Sequence, residues 1–329
     1  MTPDDRSAGA RRRRGDAEVT QLVAAARRGD PRAVARLITL VESNGPAAVE
    51  LAAALAPHTG RAEVIGLTGA PGVGKSTTTS ELVRAFRAQG KRVGVLAVDP
   101  SSPFTGGAIL GDRVRMQAHA TDPGVYIRSM SSRGHLGGLA AATPQAVRVL
   151  DAAGCDVILV ETVGVGQAEV DVASLADTTL VLLAPGMGDA IQAVKAGILE
   201  IADIFVVNKA DRDGADATYR DIQGMIALGE RAPGQWRPPV VRAVATRGEG
   251  IDEIVAAIAK HRQWLTAHGE LDRRREQRAA AEVEAIVLEA VRGRIAALDG
   301  GTTLRRLAAA VAAGRTDPYT AADDILASI

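Results

Sequence analysis

Apolar and polar positions alternate in blocks along the middle of the chain. Between residues 61 and 260, short apolar runs are separated by amphipathic stretches, and most of the runs are unbroken series of Val, Ile and Leu. Unbroken runs are typical of strands that are buried on both faces, as in a parallel sheet. The pattern predicts an α/β fold with a doubly wound, mostly parallel sheet. The runs are Val64–Thr68, Arg92–Asp99, Val125–Ser129, Cys155–Thr162, Thr178–Ala184, Asp203–Asn208 and Val240–Ala245.

The segments before and after this block have helical periodicity. In residues 16–58, apolar positions recur three and four residues apart. Asp30 followed by Pro31 is a typical helix start there, because Asp caps the first turn and Pro fits its first position. In residues 270–329, an apolar stripe over 283–295 needs a covering surface, either within its own domain or on another subunit. The expected segments are an N-terminal tail and helical extension over 1–60, the α/β domain over 61–265 and a C-terminal helical arm over 266–329.

Composition narrows the class of protein. Of 329 residues, 47% are hydrophobic, which is enough to bury a large core, and the zero formal net charge gives no general attraction to nucleic acid. The single cysteine, Cys155, excludes an intramolecular disulfide, and the five histidines lack metal-ligand spacing. No apolar run reaches the roughly 18 residues of a membrane span, so we expect a cytoplasmic protein without a membrane or nucleic-acid partner. The consecutive Arg11–Arg14 favour a solvated tail, with a nucleic-acid-binding arm as the alternative.

The clearest chemical signal is a glycine-rich segment between a predicted strand and a predicted helix. It matches the Gly-x4-Gly-Lys-Ser pattern of phosphate-binding loops, in which backbone N–H groups face the phosphates of a nucleotide. Lys75 should reach the β- and γ-phosphates, and Ser76 should ligate Mg²⁺. The fold is therefore expected to be that of a P-loop nucleoside triphosphatase. The expected nucleotide-binding residues of this segment are Gly69, Ala70, Pro71, Gly72, Val73, Gly74, Lys75, Ser76 and Thr77.

A second motif indicates which base is bound. Asn208, Lys209 and Asp211 follow an apolar strand and resemble the Asn-Lys-x-Asp motif of the GTPase superfamily. The Asp211 carboxylate would accept hydrogen bonds from N1–H and the exocyclic amine of guanine, with Asn208 holding the loop and Lys209 lying along the base. Adenine would leave this acid unpaired, at a penalty of about 1–3 kcal/mol. Ala245 and Thr246 resemble the last guanine loop, whose backbone N–H meets the base oxygen.

Three acids are candidate Mg²⁺ residues. Asp99 and Glu161 end predicted strands, and Asp112 lies in a glycine-flanked loop. Ligands collect outside the carboxyl ends of parallel strands, so these acids are expected to hold Mg²⁺, directly or through water, together with Ser76. The alternative for each is a solvated surface acid. Glu161 is also assigned a catalytic role, with Lys75 and Ser76.

Five motifs in order resemble the MeaB/ArgK family, the methylmalonyl-CoA mutase-associated GTPases of the SIMIBI class. They are Gly-Ala-Pro-Gly-Val-Gly-Lys-Ser-Thr, Val-Asp-Pro-Ser-Ser, Gly-Asp-Arg-Val-Arg-Met, Val-Glu-Thr-Val-Gly-Val-Gly-Gln and Asn-Lys-Ala-Asp. The resemblance implies a homodimeric GTPase that hydrolyses GTP to GDP and phosphate as a chaperone of adenosylcobalamin-dependent methylmalonyl-CoA mutase. It would gate cofactor delivery and protect the mutase from inactivation. The resemblance also implies that the C-terminal helices form a dimerisation arm and that residues 185–195 form a mobile loop signalling nucleotide state.

One departure from small GTPases concerns hydrolysis. Their acid in this position is an Asp, whereas Glu161 reaches about one methylene farther, and the nearest glutamine after Gly164 is Gln167. We therefore expect slow intrinsic hydrolysis that a partner accelerates. Arg113 and Arg115 are candidates to stabilise transition-state charge, with surface ion pairing as the alternative. Two other functions remain alternatives: a metal-inserting GTPase, which the missing His and Cys clusters disfavour, and a kinase, for which no acceptor pocket is identified.

Overall fold

The computed structural model describes residues 17–43, 47–99, 117–119, 121–131, 142–162, 168–186, 199–229 and 234–328. The chain divides into two compact units, Met1–His268 and Gly269–Ile329. Within the described residues, none of the helices combines the length and the apolar character that crossing a membrane requires.

A seven-stranded parallel sheet forms the centre of the first unit, as far as the described residues show. The strand order is β3-β2-β4-β1-β5-β6-β7, so β1 lies between β4 and β5. This architecture confirms the predicted doubly wound α/β fold. The strands are β1 (Glu63–Thr68), β2 (Val93–Asp99), β3 (Val125–Ser131), β4 (Val157–Thr162), β5 (Thr178–Leu183), β6 (Ile204–Asn208) and β7 (Val240–Ala243).

Helices precede, connect and follow these strands. The two helical extensions predicted from the sequence are present. The helices are α1 (17–27), α2 (Pro31–Glu42), α3 (Ala47–Leu55), α4 (Lys75–Ala88), α5 (Thr143–Ala152), α6 (Ala168–Leu175), α7 (Ala215–Leu228), α8 (Ile251–Ala267), α9 (Glu270–Ala297), α10 (Thr302–Ala312) and α11 (Pro318–Leu326), with a helical turn at Leu199–Ile201.

Each predicted strand differs from the structure by one or two residues at one end; β3, for example, continues past the predicted Ser129 to Ser131. The ends predicted at Cys155 and Ala245 were each wrong for a local reason. Cys155 was assigned to β4, but its N–H bonds to the carbonyl of Leu150 at 3.1 Å and so closes the end of α5. Ala245 was assigned to β7, but it begins a 3₁₀ turn that ends at Arg247. The N–H of Ala245 donates to the side chain of Asn208 at 3.1 Å. In both cases the N–H therefore has a partner other than the ladder bond that a strand residue would make.

An aspartate precedes three of the strands and satisfies the backbone of a neighbouring segment. Each carboxylate accepts a hydrogen bond from an N–H group at or beside the start of the adjacent strand. The pairs are Asp156 with Arg92 at 2.7 Å, Asp177 with Val64 at 3.0 Å and Asp203 with Thr179 at 2.8 Å. Buried backbone donors need such partners, so these acids stabilise the amino-terminal edge of the sheet, opposite the edge where the strands end.

Both faces of the sheet are covered. The N-terminal helices α1 to α3 and helix α5 share one apolar core with β2 and β4, in which Leu37 and Leu55 are fully buried. Helices α4 and α8 bury the other face around Phe86 and Ile254. The start of α2 has the predicted cap, because the Asp30 side chain accepts from Arg32 N–H at 2.9 Å.

Helix α8 carries an aromatic cluster at its end. Trp264 lies 5.8 Å from Trp236 and 4.7 Å from His268, measured between ring centroids. Trp236 also lies 4.8 Å from His261 and donates from its indole N–H to the carbonyl of Asp203 at 2.7 Å. The rings of Trp264 and His268 are stacked, whereas Trp236 is tilted against both His261 and Trp264, and such ring contacts stabilise this end of α8.

The second unit contains helices α9 to α11. Its small core joins α10 and α11 through Leu307, Ala321 and Ile325. The apolar stripe of α9 is exposed instead, with the exposed fractions of Val283, Ile286 and Val287 at 61%, 58% and 54%.

Candidate functional site

The glycine-rich loop connects β1 to α4 at the carboxyl edge of the sheet. Two of its glycines have no substitute. Gly69 has φ +135°, and a Cβ there would meet the carbonyl of Leu182 on β5. Gly74 has φ +101°, and a Cβ there would meet the amide of Asn208. The loop is therefore folded tightly against two neighbouring strands, with α4 beginning directly after it, which points the first N–H groups of the helix at the loop.

Lys75 is buried at the start of α4 and turns back into the loop. Its Nζ donates to the carbonyls of Gly69 at 2.7 Å and Ala70 at 3.1 Å. Lys209, in the segment after β6, also reaches this loop, with its Nζ donating to the carbonyl of Gly72 at 2.6 Å. The ammonium groups of Lys75 and Lys209 therefore both contact the glycine-rich loop, and their positive charge suits a polyphosphate ligand.

Ser76 and Glu161 meet where β4 ends beside β1. The register pairs Leu67 of β1 with Glu161 of β4, so the carboxylate faces the first turn of α4. Ser76 Oγ donates to Glu161 Oε1 at 2.6 Å, and Thr79 Oγ1 donates to Glu161 Oε2 at 2.8 Å. All three side chains are buried. A hydroxyl and a carboxylate in contact are hard oxygen donors, so these residues fit a Mg²⁺ ion.

The metal site is only partly within the described residues. Among those residues, no group of three or more His, Cys, Asp or Glu side chains could hold a metal ion. The backbone of Asp99 ends β2, but its side chain lies outside the description, as does the whole of Asp112. The described part of the site is thus the hydroxyl of Ser76 and the carboxylate of Glu161.

Asn208 joins three loops. From the end of β6, its Nδ2 donates to the carbonyl of Val73 in the glycine-rich loop at 2.8 Å, and its Oδ1 accepts from the N–H of Ala245 at 3.1 Å. The side chain is buried. Lys209, the next residue, has φ +56°. One amide therefore holds the phosphate loop, the Asn-Lys-Ala-Asp segment and the Ala245 turn together.

Asp211, the last residue of the Asn-Lys-Ala-Asp segment, is partly exposed to solvent. Its side chain is 35% exposed, and its Oδ2 lies 3.2 Å from Nη2 of Arg247. Arg247 follows Ala245 and Thr246 in the 3₁₀ turn, and its Nη1 lies 3.8 Å from Glu249 Oε1. The structure thus brings the predicted base-reading acid next to the predicted guanine loop.

A family description matches most of the chain. Residues 34–299 match the family described as methylmalonyl Co-A mutase-associated GTPase MeaB. The chain belongs to the MeaB family. It is therefore a GTPase, with the P-loop fold and the nucleotide class that its motifs predicted.

Individual relatives support this membership. A Pyrococcus abyssi protein that carries a GTPase name is 50% identical over 94% of this chain and 97% of its own length. GTPase ArgK of Escherichia coli is 39% identical over 80% of this chain and 81% of its own length. A solved structure described as a LAO/AO transport system kinase has a TM-score of 0.72 and 29% identity, covering 94% of this chain and 96% of its own.

Several residues named in the sequence analysis lie outside the described residues. Pro185 and Gly186 are described at the start of the expected signalling loop, but the rest of that loop is not. The assigned residues and segments outside the description are Arg11–Arg14, Asp112, Arg113, Arg115, residues 163–167 with Gln167, and residues 187–195.

Two side chains at this MeaB site had not been singled out from the sequence. Thr79 lies three residues after Ser76 on α4, and that spacing puts both hydroxyls on one helix face. Arg247 follows directly after the predicted guanine loop. The helical spacing from Ser76 could have indicated Thr79, and the position next to the guanine loop could have indicated Arg247.

Proposed function

We propose that this protein is a Mg²⁺-dependent GTPase that acts as a chaperone of adenosylcobalamin-dependent methylmalonyl-CoA mutase. It gates delivery of the cofactor and protects the mutase from inactivation, while it hydrolyses GTP to GDP and phosphate. Membership of a family described by its association with this mutase supports the partner. A mouse relative named methylmalonic aciduria type A homolog, 40% identical over 64% of this chain and 52% of its own length, is in keeping with the proposal.

The observation that carries the nucleotide assignment is the bridge made by Asn208. Its two hydrogen bonds, to Val73 and Ala245, fix the phosphate loop at a set position relative to the base loop. In the proposal, the backbone of residues 69–77 and the ammonium of Lys75 bind the phosphates. Asp211 reads the guanine edge, and a backbone N–H of the Ala245-Thr246 loop meets its oxygen; we assign that N–H to Thr246, because the N–H of Ala245 donates to Asn208.

Mg²⁺ belongs to the same proposal. Ser76 would ligate the ion, and Glu161, Asp99 and Asp112 would hold it directly or through water. When bound, the ion would supply positive charge that offsets the negative charge developing on the phosphate oxygens during transfer. Glu161 is positioned for this role by its contact with Ser76 at 2.6 Å.

The remaining parts of the proposal concern assembly. We assign residues 1–60 to the N-terminal extension, 61–265 to the GTPase domain and 266–329 to a dimerisation arm of a cytoplasmic homodimer. The exposed stripe of Val283, Ile286 and Val287 supports the arm, because an apolar helix face of this size needs a covering surface.

Calorimetry with GDP and ADP tests the base assignment. We expect the wild type to bind GDP much more tightly than ADP, and Asp211→Asn to lose most of that preference, since an amide cannot accept from both guanine donors. Gln223→Ala is a surface control, because Gln223 is exposed and, within the described residues, its side chain donates to the Tyr219 hydroxyl at 2.9 Å and to no residue of the site. Equal binding of GDP and ADP by the wild type would refute the assignment.

A pull-down tests the partner. The full chain is incubated with soluble lysate in GDP and in a non-hydrolysable GTP analogue. A cobalamin-dependent mutase that is retained in a nucleotide-sensitive way supports the chaperone role, and its repeated absence removes it. Release of phosphate to water in the same preparation separates a GTPase from a kinase that transfers phosphate to an acceptor.

A further inference from the structure

Thr79 is a buried polar residue that the account of nucleotide binding does not use. It lies in the second turn of α4, and its hydroxyl is 2.8 Å from Oε2 of Glu161. The other carboxylate oxygen, Oε1, receives the hydroxyl of Ser76 at 2.6 Å. The two oxygens of Glu161 therefore have different hydroxyl partners on one helix.

The single proton of the Thr79 hydroxyl has two acceptors within reach. One is the Glu161 carboxylate, and the other is the carbonyl of Lys75 one turn earlier, at 3.0 Å. A hydroxyl has one hydrogen to donate, and an ionised carboxylate is a stronger acceptor than a peptide carbonyl. The proton therefore points to Glu161, and the usual threonine bond to the preceding turn of the helix is the weaker alternative.

The neighbouring Thr78 shows the hydrogen bond of the same residue type where no acid of the described residues accepts from its hydroxyl. It is also fully buried, and its hydroxyl bonds the carbonyl of Gly74 at 3.0 Å. Thr78 and Thr79 thus match in residue type, burial and helix position. They differ in whether the hydroxyl contacts Glu161.

We propose that Thr79 is a positioning residue that holds Glu161 in the orientation in which Oε1 faces Ser76. This inference rests on the proposed Mg²⁺ role of Ser76 and Glu161. A glutamate side chain has one more rotatable bond than an aspartate, so it loses more conformational entropy when it is fixed. The Thr79 hydroxyl fixes the end of that longer side chain, which gives a reason why glutamate functions where small GTPases have aspartate.

The test compares GDP affinity in Mg²⁺ with GDP affinity in a metal chelator. Removal of a hydrogen-bond partner from a metal-holding residue weakens metal affinity by about tenfold or more. We therefore expect Thr79→Val to reduce the Mg²⁺-dependent gain in GDP affinity by about tenfold, with affinity in the chelator unchanged. Thr79→Ser keeps the hydroxyl and should restore the gain. Thr78→Val, the matched control, should retain it.

Thermal melting of each variant shows whether it folds. Thr79→Ala, which removes the same hydroxyl with a better helix former, replaces Thr79→Val if the valine variant is unfolded. An unchanged Mg²⁺-dependent gain in the folded variant overturns the inference, and so does an equal loss in Thr78→Val. If the wild type prefers GDP over ADP but gains nothing from Mg²⁺, the proposed metal site itself fails, whereas a failure confined to Thr79 leaves that site standing.

Discussion

Replacing Asn208 with alanine removes the amide that bridges the glycine-rich loop and the Ala245 turn. The substitution leaves two buried backbone groups without this partner, the carbonyl of Val73 and the N–H of Ala245. The variant therefore isolates the contribution of the bridge to stability and to nucleotide binding.

The magnitude follows from the two orphaned groups. Leaving one buried polar group unsatisfied costs about 1–3 kcal/mol, so two such groups cost about 2–6 kcal/mol; we take about 3 kcal/mol, because water entering the vacated space satisfies them in part. For a unit of this size, each kcal/mol lowers the melting temperature by roughly 2–4 °C, so we expect a fall of roughly 6–12 °C. GDP affinity should fall as well, because the phosphate loop and the base loop are no longer held together.

The assay is thermal unfolding followed by circular dichroism, with GDP affinity measured by calorimetry. Asn208→Asp provides an internal comparison. It keeps the acceptor for Ala245 but puts a carboxylate oxygen against the carbonyl of Val73, so it should destabilise the protein at least as much as Asn208→Ala. Gln223→Ala, at an exposed position on α7, should change stability by less than about 0.5 kcal/mol.

Two results would refute this reasoning. Asn208→Ala with the melting temperature and GDP affinity of the wild type would show that the bridge carries no energy. An Asn208→Asp variant that is more stable than Asn208→Ala would show that the amide nitrogen does not face the carbonyl of Val73.

Three further predictions concern other sites. Gly69→Ala should lower both the melting temperature and GDP affinity, because its Cβ would meet the carbonyl of Leu182; unchanged values of both would contradict this. The hydrogen bond from Arg87 lowers the pKa of Asp122, so Asp122→Asn should destabilise the protein at neutral pH. The difference in melting temperature should disappear as the pH falls from about 4 through the lowered pKa, and a difference that persists at lower pH would contradict it. Burial raises the pKa of the Cys155 thiol to about 12. A thiol reagent at neutral pH should therefore react with it only after denaturant is added, and rapid reaction of the folded protein would argue against a buried thiol.

The sheet could be predicted because its strands are apolar on both faces. Residues Val157–Val160 are fully buried, and only unbroken apolar runs suit such positions. The ends of the strands were harder to predict, because each end depends on a single hydrogen bond. Cys155 has the apolar character of a strand residue, yet its N–H closes the end of α5. The order of the strands depends on pairings between segments far apart in the chain, which periodicity does not contain.

Some residues of the candidate site could likewise be predicted from the sequence, and others could not. The phosphate loop and Asn208 to Asp211 are contiguous segments whose geometry follows from their own residues, so the sequence indicates them directly. Thr79 contacts Glu161 across 82 positions of the chain, and Arg247 contacts Asp211 across 36. Contacts of this kind appear only when the sheet brings strand ends together. Local motifs thus predict the residues that bind the nucleotide, whereas the fold determines which other side chains contact and orient those residues.

The aromatic cluster at the end of α8 has a practical consequence. The chain contains two tryptophans, and both belong to that cluster, within 5.8 Å of each other. Tryptophan emission, excited selectively over the three tyrosines, therefore originates in this one cluster. A shift of that emission on addition of nucleotide or of a partner would thus mean that the surroundings of the cluster have changed, even though the phosphate loop carries no tryptophan of its own.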